Sequence, residues 1–132
     1  VEGVQSFITN LGAAKVVELS VSAPFHCDLM KPAEEKLRID LAKTEIKTPS
    51  FPVYQNYTAK YSSDPEAIRE NLALQVCGRV RWVECVQGAI TAHQPQAVWE
   101  FGAGNVLTGL VKRIDNGVAR VNIDSPQALQ AA

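Results

Sequence analysis

The sequence predicts an α/β fold with parallel strand pairing, and two observations carry that prediction. Apolar residues recur at helical spacing in several segments, and short β-type runs alternate with them along the chain. No internal repeat, low-complexity tract or linker interrupts this order. At 132 residues the chain suits one domain, and 46% hydrophobic with 20% charged residues is ordinary for a globular protein. Thirteen basic against 14 acidic side chains argue against nucleic-acid binding, which needs a basic excess or patch. No apolar run approaches the roughly 20 residues of a membrane-spanning helix, and no signal-like start is present. The chain opens with Val1, and Val4 to Ile8 read as the middle of an element, so a piece of something larger is expected.

The elements follow in order. Val4, Phe7, Ile8 and Leu11 mark a first helix that Gly12 stops. Val16 to Leu19 read as a strand, and Ser20 to His26 as a turn segment. Asp28 is a candidate cap for a helix with the stripe Met30, Ala33, Leu37 and Leu41, with Glu34 and Arg38 paired on its outer side. Phe51 to Tyr54 read as a strand whose proline suits its start or edge, and residues 56–63 as loop. Asp64-Pro65 opens the next helix, with Ile68, Leu72 and Val76 inward and Gly78 as its breaker. Val83, Val86 and Ile90 mark a helix to about His93. Ala97 to Phe101 read as a strand running into Gly102-Ala103-Gly104 and a helix with Leu107, Leu110, Val111 and Ile114. Lys112 and Arg113 suit that helix's C-terminus. Val118 to Ile123 form a last strand, and Ser125-Pro126 starts a short final helix.

Several segments can carry chemistry. Cys27, Cys77 and Cys85 are an odd number without a C-x-x-C pair, which argues for free thiols in a reducing compartment and against a disulfide scaffold or a four-ligand zinc site. Gly102-Ala103-Gly104 is either a tight strand-to-helix turn or a backbone cradle for an anion. Its next glycine, Gly109, breaks the dinucleotide spacing. His26 closes a short loop before a helix, where it reads either as a structural or surface histidine or as a general acid/base. A metal or Cys/His reading of His26-Cys27-Asp28 is weak, because three consecutive residues rarely point at one centre. His93 is expected in solvent. None of the seven serines lies in a G-x-S-x-G elbow, so a catalytic His26 would need a serine from outside this chain.

The segment Ser20-Val21-Ser22-Ala23-Pro24-Phe25-His26-Cys27-Asp28-Leu29-Met30-Lys31-Pro32-Ala33 closely resembles the one holding the active-site histidine of malonyl-CoA:acyl carrier protein transacylases. The resemblance continues in order through Phe51 to Asn56, Asp64 to Arg69, Val80-Arg81-Trp82, Glu100 to Leu110 and Lys112-Arg113-Ile114. It implies the C-terminal portion of such an enzyme. Residues 1–19 would end a small ferredoxin-like subdomain, and 20–132 would be the C-terminal part of the large hydrolase-like α/β domain. In that family a serine accepts malonyl from coenzyme A and passes it to the phosphopantetheine thiol of acyl carrier protein. The resemblance matches His26 to the base that activates the serine, and Gln75 to the position whose backbone carbonyl orients it. The serine, the malonyl-pairing arginine and the oxyanion loop have no counterpart here.

It implies no metal and no cofactor, with malonyl-CoA as substrate. The implied partners are acyl carrier protein and the missing N-terminal portion of the same enzyme, in the cytoplasm. Departures from the family pattern are Gly102-Ala103-Gly104-Asn105, Gln55 before Asn56, and Cys77-Gly78-Arg79 in place of an aromatic–polar–proline run. Two other readings stand beside the transacylase. One is a non-catalytic fragment or split-gene product that binds acyl carrier protein or a complementary chain, with Lys112, Arg113 and Arg120 facing an acidic carrier. The other is an acyltransferase domain of a polyketide or multifunctional synthase.

Overall fold

A computed structural model describes residues 2–17 and 23–131. Helix α1 (Glu2–Asn10) ends in a turn where Gly12 takes φ +91°, a conformation that favours glycine. Val16 and Val17 carry no strand, and the rest of the strand expected at Val16 to Leu19 lies outside the described residues, as does the start of the Ser20 turn. A single 3₁₀ turn, Asp28–Met30, leads into α2 (Lys31–Lys43). Strands β1 (Val53–Gln55) and β2 (Lys60–Ser62) form an antiparallel hairpin, followed by α3 (Pro65–Leu74) and α4 (Trp82–His93). Strand β3 (Ala97–Phe101), α5 (Val106–Ile114) and β4 (Ala119–Ile123) make a parallel β–α–β unit, and α6 (Pro126–Ala131) follows.

The expected parallel pairing is present: β3 and β4 run in register from Ala97 opposite Ala119 to Phe101 opposite Ile123. A parallel pair needs a crossover, and α5 supplies it. Its inward residue Val111 meets Val86 of α4 and Val118, with Trp82, Ile90, Val98 and Ile114 around them. This is the apolar core that holds the β–α–β unit to α4. One face of the sheet is less covered, with Trp99 42% and Phe101 69% exposed.

Four expectations are corrected. Residues 56–63 are not all loop, because β2 pairs there with β1 across a turn in which Ala59 adopts φ +56°. Turns of that hand normally announce themselves by Gly or Asn, and an alanine gives no such signal. Asp28 does not cap a helix by its side chain; it is the first residue of the 3₁₀ turn, preceded by Cys27. Leu72 is exposed, and Ala73 takes the buried place on α3 beside Ile68, with the helix ending at Leu74 ahead of Gly78. Asp64 does cap α3, accepting from the Glu66 amide at 3.1 Å.

The fourth correction concerns α2. Glu34 and Arg38 are paired, at 3.0 Å, yet Glu34 faces inward and is 1% exposed while Ala33 is exposed. Glu34 also accepts from Lys31 at 2.8 Å, and Arg38 continues to Glu70 of α3 with a two-pronged contact of 2.6 and 2.9 Å. A buried carboxylate persists only when such donors compensate its lost hydration. A second tie runs the other way: Arg69 of α3 donates to the Leu41 and Thr44 carbonyls at the C-terminal end of α2.

The Lys31 ammonium, with help from the Cys77 thiol and Arg38, holds the Glu34 carboxyl at about 2, below its ordinary 4.5. The fold therefore favours its charged form. That contribution is complete above about pH 4.5 and is lost as the pH falls through the folded value near 2. In urea titrations across that range, wild type is expected to lose stability that Glu34→Gln has already lost at pH 7. The gap between the two proteins should close as the pH approaches 2.

Candidate active site

His26 sits in a tight loop shaped by its neighbours. The Phe25 amide donates to the Ala23 carbonyl at 2.9 Å, and the Cys27 thiol to the Pro24 carbonyl at 3.0 Å. Between them His26 takes φ +59°, a left-handed conformation uncommon for a residue with a side chain. The following residues, with the Met30 amide donating to the Cys27 carbonyl at 3.0 Å, start the 3₁₀ turn and then α2.

Gln75 is the C-cap of α3, its amide bonded back to the Asn71 carbonyl at 2.9 Å. Carbonyls at the end of a helix have no intrahelical partner, so that of Gln75 is free to accept from outside. It does: His26 Nδ1 lies 3.0 Å away, joining residues 49 apart in sequence. A carbonyl can only accept, so Nδ1 carries the hydrogen and the Nε2 lone pair is left facing outward. The Gln75 side-chain amide, 3.5 Å from the same Nδ1, cannot also donate to it; its hydrogen goes to the Gly78 carbonyl at 3.1 Å. His26 is exposed, and its Nε2 has no hydrogen-bond partner among the described residues. The two residues singled out from the sequence are thus brought together.

Sequence reasoning did not single out the amide cluster beside them. A cavity of about 200 Å³ is lined by Tyr54, Gln55, Asn56, Ile68, Asn71 and Gln75, among others. Gln55 is buried, donating to the Ile68 carbonyl at 3.2 Å and accepting from Asn71 at 2.7 Å. The Asn56 and Gln75 side-chain oxygens are buried without partners among the described residues. The available signal was the spacing of Asn71 and Gln75, which places both amides on one face of α3.

The glycine junction resolves in favour of the tight turn. Gly102 and Gly104 adopt φ +127° and +89°, and the Glu100 carboxylate folds over the start of α5. It accepts from the Leu107 amide at 3.0 Å and the Thr108 amide at 2.7 Å, and chiefly the latter holds its carboxyl below the usual range. The helix N-terminus that would bind an external anion already holds an internal one. Beyond this turn Lys112, Arg120, Asn105, Thr108 and Asn122 border a polar recess of about 450 Å³, which Arg113 does not line. His93 is exposed but not isolated, lying edge-on to Tyr54 with ring centres 5.9 Å apart. All three thiols are free; Cys27 and Cys77 are half-buried and Cys85 buried. Among the described residues no three His, Cys, Asp or Glu side chains gather as metal ligands.

No protein-family model matches the chain. It is 41% identical over 121 residues to a malonyl CoA-acyl carrier protein transacylase of Salmonella typhimurium, covering 92% of this chain and 39% of that protein. To the Bacillus subtilis protein of the same name it is 36% identical, covering 92% and 38%. Among solved structures it superposes on an acyl-carrier-protein S-malonyltransferase from Burkholderia pseudomallei with a TM-score of 0.88 and 42% identity, covering 98% of this chain and 42% of that one. A malonyl-transacylase solved in complex with a type II PKS acyl-carrier protein gives 0.89 and 39% identity, covering 99% and 42%. The chain spans about 39% of the length of the curated relatives it matches.

Two substitutions test the reading of the glycine junction. Gly104→Ala meets no atom of the described residues within 4 Å, so its effect is backbone strain, about 1 to 2 kcal/mol in a denaturant titration. Glu100→Ala empties the helix terminus. It should lower the thermal midpoint and make that midpoint rise with added inorganic phosphate, whereas the wild-type midpoint should show no such rise.

Proposed function

Because the chain belongs to the malonyl CoA-acyl carrier protein transacylase family and corresponds to a C-terminal portion of its members, we propose that it supplies the histidine of a Ser–His acyl-transfer site. The reaction is transfer of malonyl from coenzyme A to the phosphopantetheine thiol of acyl carrier protein. The observation that carries this reading is the 3.0 Å contact from His26 Nδ1 to the Gln75 carbonyl. That bond holds the ring in one tautomer, with Nε2 outward as the acceptor a general base needs.

A serine from outside this chain gives its Oγ proton to Nε2 as it attacks the malonyl thioester. The imidazolium so formed has the Gln75 carbonyl and the C-terminal end of α3 beside it, both bearing partial negative charge. It returns the proton to the departing coenzyme A sulfur, leaving malonyl on the serine. The carrier's thiol then repeats the sequence in reverse: His26 takes its proton, sulfur attacks the ester, and the serine oxygen is reprotonated. A neutral carbonyl does here what a carboxylate does in a Ser-His-Asp triad, orienting the ring without burying a charge. In this reading residues 1–19 end a ferredoxin-like subdomain and 20–132 belong to the large α/β domain of a cytoplasmic enzyme.

A second reading, binding of carrier protein or of a complementary chain without catalysis, draws on two observations. The recess beside α5 presents Lys112 and Arg120, which suit an acidic carrier surface, and Trp99 and Phe101 leave apolar area for another polypeptide to cover. The two readings differ in what His26 does.

In a whole transacylase carrying this segment, His26→Ala should lower malonyl transfer by about a hundred- to ten-thousandfold while the fold is retained by circular dichroism. Near-normal transfer removes His26 from the mechanism. The 132-residue chain alone should transfer no malonyl group in a thioester-release assay. Retention of malonylated or unmodified carrier on the immobilised chain, lost on Lys112→Glu with Arg120→Glu, would support the binding reading; retention of neither form counts against it.

A further inference from the structure

Gln75 can fix His26 only if the turn that carries it is itself fixed, and that turn contains the departure Cys77-Gly78-Arg79. The Gly78 carbonyl receives the Gln75 side-chain amide at 3.1 Å, and the Gly78 amide donates to the Leu74 carbonyl at 2.9 Å. Against the bare Cα of Gly78 lies the Tyr57 ring from the β1–β2 turn. A Cβ built on Gly78 would stand 2.5 Å from Tyr57 Cδ2, 2.8 Å from Cε2 and 2.9 Å from the Leu74 carbonyl oxygen. No side chain fits there, so glycine is present for close approach and not for its backbone freedom. The same hairpin turn holds the next residues: the Arg81 amide donates to the Asn56 carbonyl at 3.1 Å, and the Arg81 guanidinium to the Thr58 carbonyl at 3.0 Å.

We propose that Tyr57 and Gly78 are positioning residues for His26. The Tyr57 ring, seated on the bare Gly78, sets the 75–78 turn so that the Gln75 carbonyl stays in line with Nδ1. The proposal rests on the reading of His26 as the base, and the chain of contacts is Tyr57 to Gly78, Gly78 to Gln75, and Gln75 to His26. It assigns the hairpin a role that its two short strands alone do not explain. It also gives Gly78 a reason to stand where the resembling family carries a polar side chain.

The tautomer of His26 is the readout, because packing alone does not move it. In nitrogen-15-labelled 132-residue chain, long-range proton–nitrogen spectra give the ratio of Nδ1–H to Nε2–H forms at each of the two histidines, and His93 is the internal reference. Tyr57→Ala and Gly78→Ala should each lower the Nδ1–H fraction of His26 by about two- to tenfold in ratio, the net worth of one hydrogen bond. Tyr57→Phe, which keeps the ring, should retain the wild-type ratio, and His93 should be unchanged in all three. Should Gly78→Ala fail to fold, Tyr57→Ala still decides, since it only removes atoms.

A wild-type ratio in Tyr57→Ala, even with a lowered urea midpoint, overturns the proposal while leaving His26 as the base. A change in Tyr57→Phe equal to that in Tyr57→Ala overturns it too, by assigning the effect to the hydroxyl. A wild-type chain without any Nδ1–H preference overturns it together with the tautomer on which the proposed function rests.

Discussion

The arrangement depends on one buried carboxylate. Glu34, 1% exposed, binds Lys31 and Arg38 on its own helix, and Arg38 carries the contact on to Glu70 of α3. Helix α2 begins five residues after His26, and α3 is capped at its C-terminal end by Gln75. Fixing α2 against α3 therefore fixes the two chain segments whose ends must meet at 3.0 Å. A buried pair of this kind is poor evidence of net stability, since desolvation offsets much of the attraction. Its value lies in direction: a planar guanidinium gripping Glu70 with two nitrogens admits few relative placements of the helices, where apolar packing alone admits many.

Charge is accordingly kept in the scaffold and out of the contact with the ring. The carboxylates with lowered values, Glu34, Glu70, Glu84 and Glu100, each hold a helix, a helix pair or a turn. The ring of His26 instead meets a carbonyl that helix α3 leaves unpaired because the helix stops there. That economy needs a helix end in the right place, which is why the turn after Leu74 is held from several sides. The Gln75 amide reaches Gly78, the Gly78 amide reaches Leu74, and Cys77 comes near enough to Glu34 for its thiol to be raised by burial and by that carboxylate.

How much of this was legible in the sequence follows from which physics each residue advertises. The β3–α5–β4 unit was readable almost to the residue, because an apolar run, two glycines and a helical stripe give independent signals for one answer. Helix α2 was readable as a helix but its inner face was misplaced. Spacing pairs Glu34 with Arg38 without saying which way the pair faces, and the apolar Ala33 beside it offers itself as the inward residue. The face that is covered runs through Met30, Glu34, Leu37 and Leu41, with the acid at its most buried point. Strand β2 was missed because Lys60-Tyr61-Ser62 is polar and the turn before it uses Ala59 at positive φ. At the candidate site, the His26 and Gln75 pairing came from resemblance alone. Nothing in the local pattern of either residue announces a partner 49 positions away.

The departures from the family pattern make physical sense only when taken together with their surroundings. Cys77 is small enough to sit half-buried beside Glu34, Gly78 admits Tyr57, and Arg79 turns to Glu84 of α4 at 2.9 Å, where Arg81 also binds at 3.2 Å. A larger residue at 78 would expel the tyrosine ring, and an apolar residue at 34 would leave Lys31 and Arg38 without their shared acceptor. Each of these side chains is tolerable because a neighbour of matching shape or charge receives it. A segment can therefore leave its family's sequence while the helix end it follows keeps one carbonyl aimed at one imidazole.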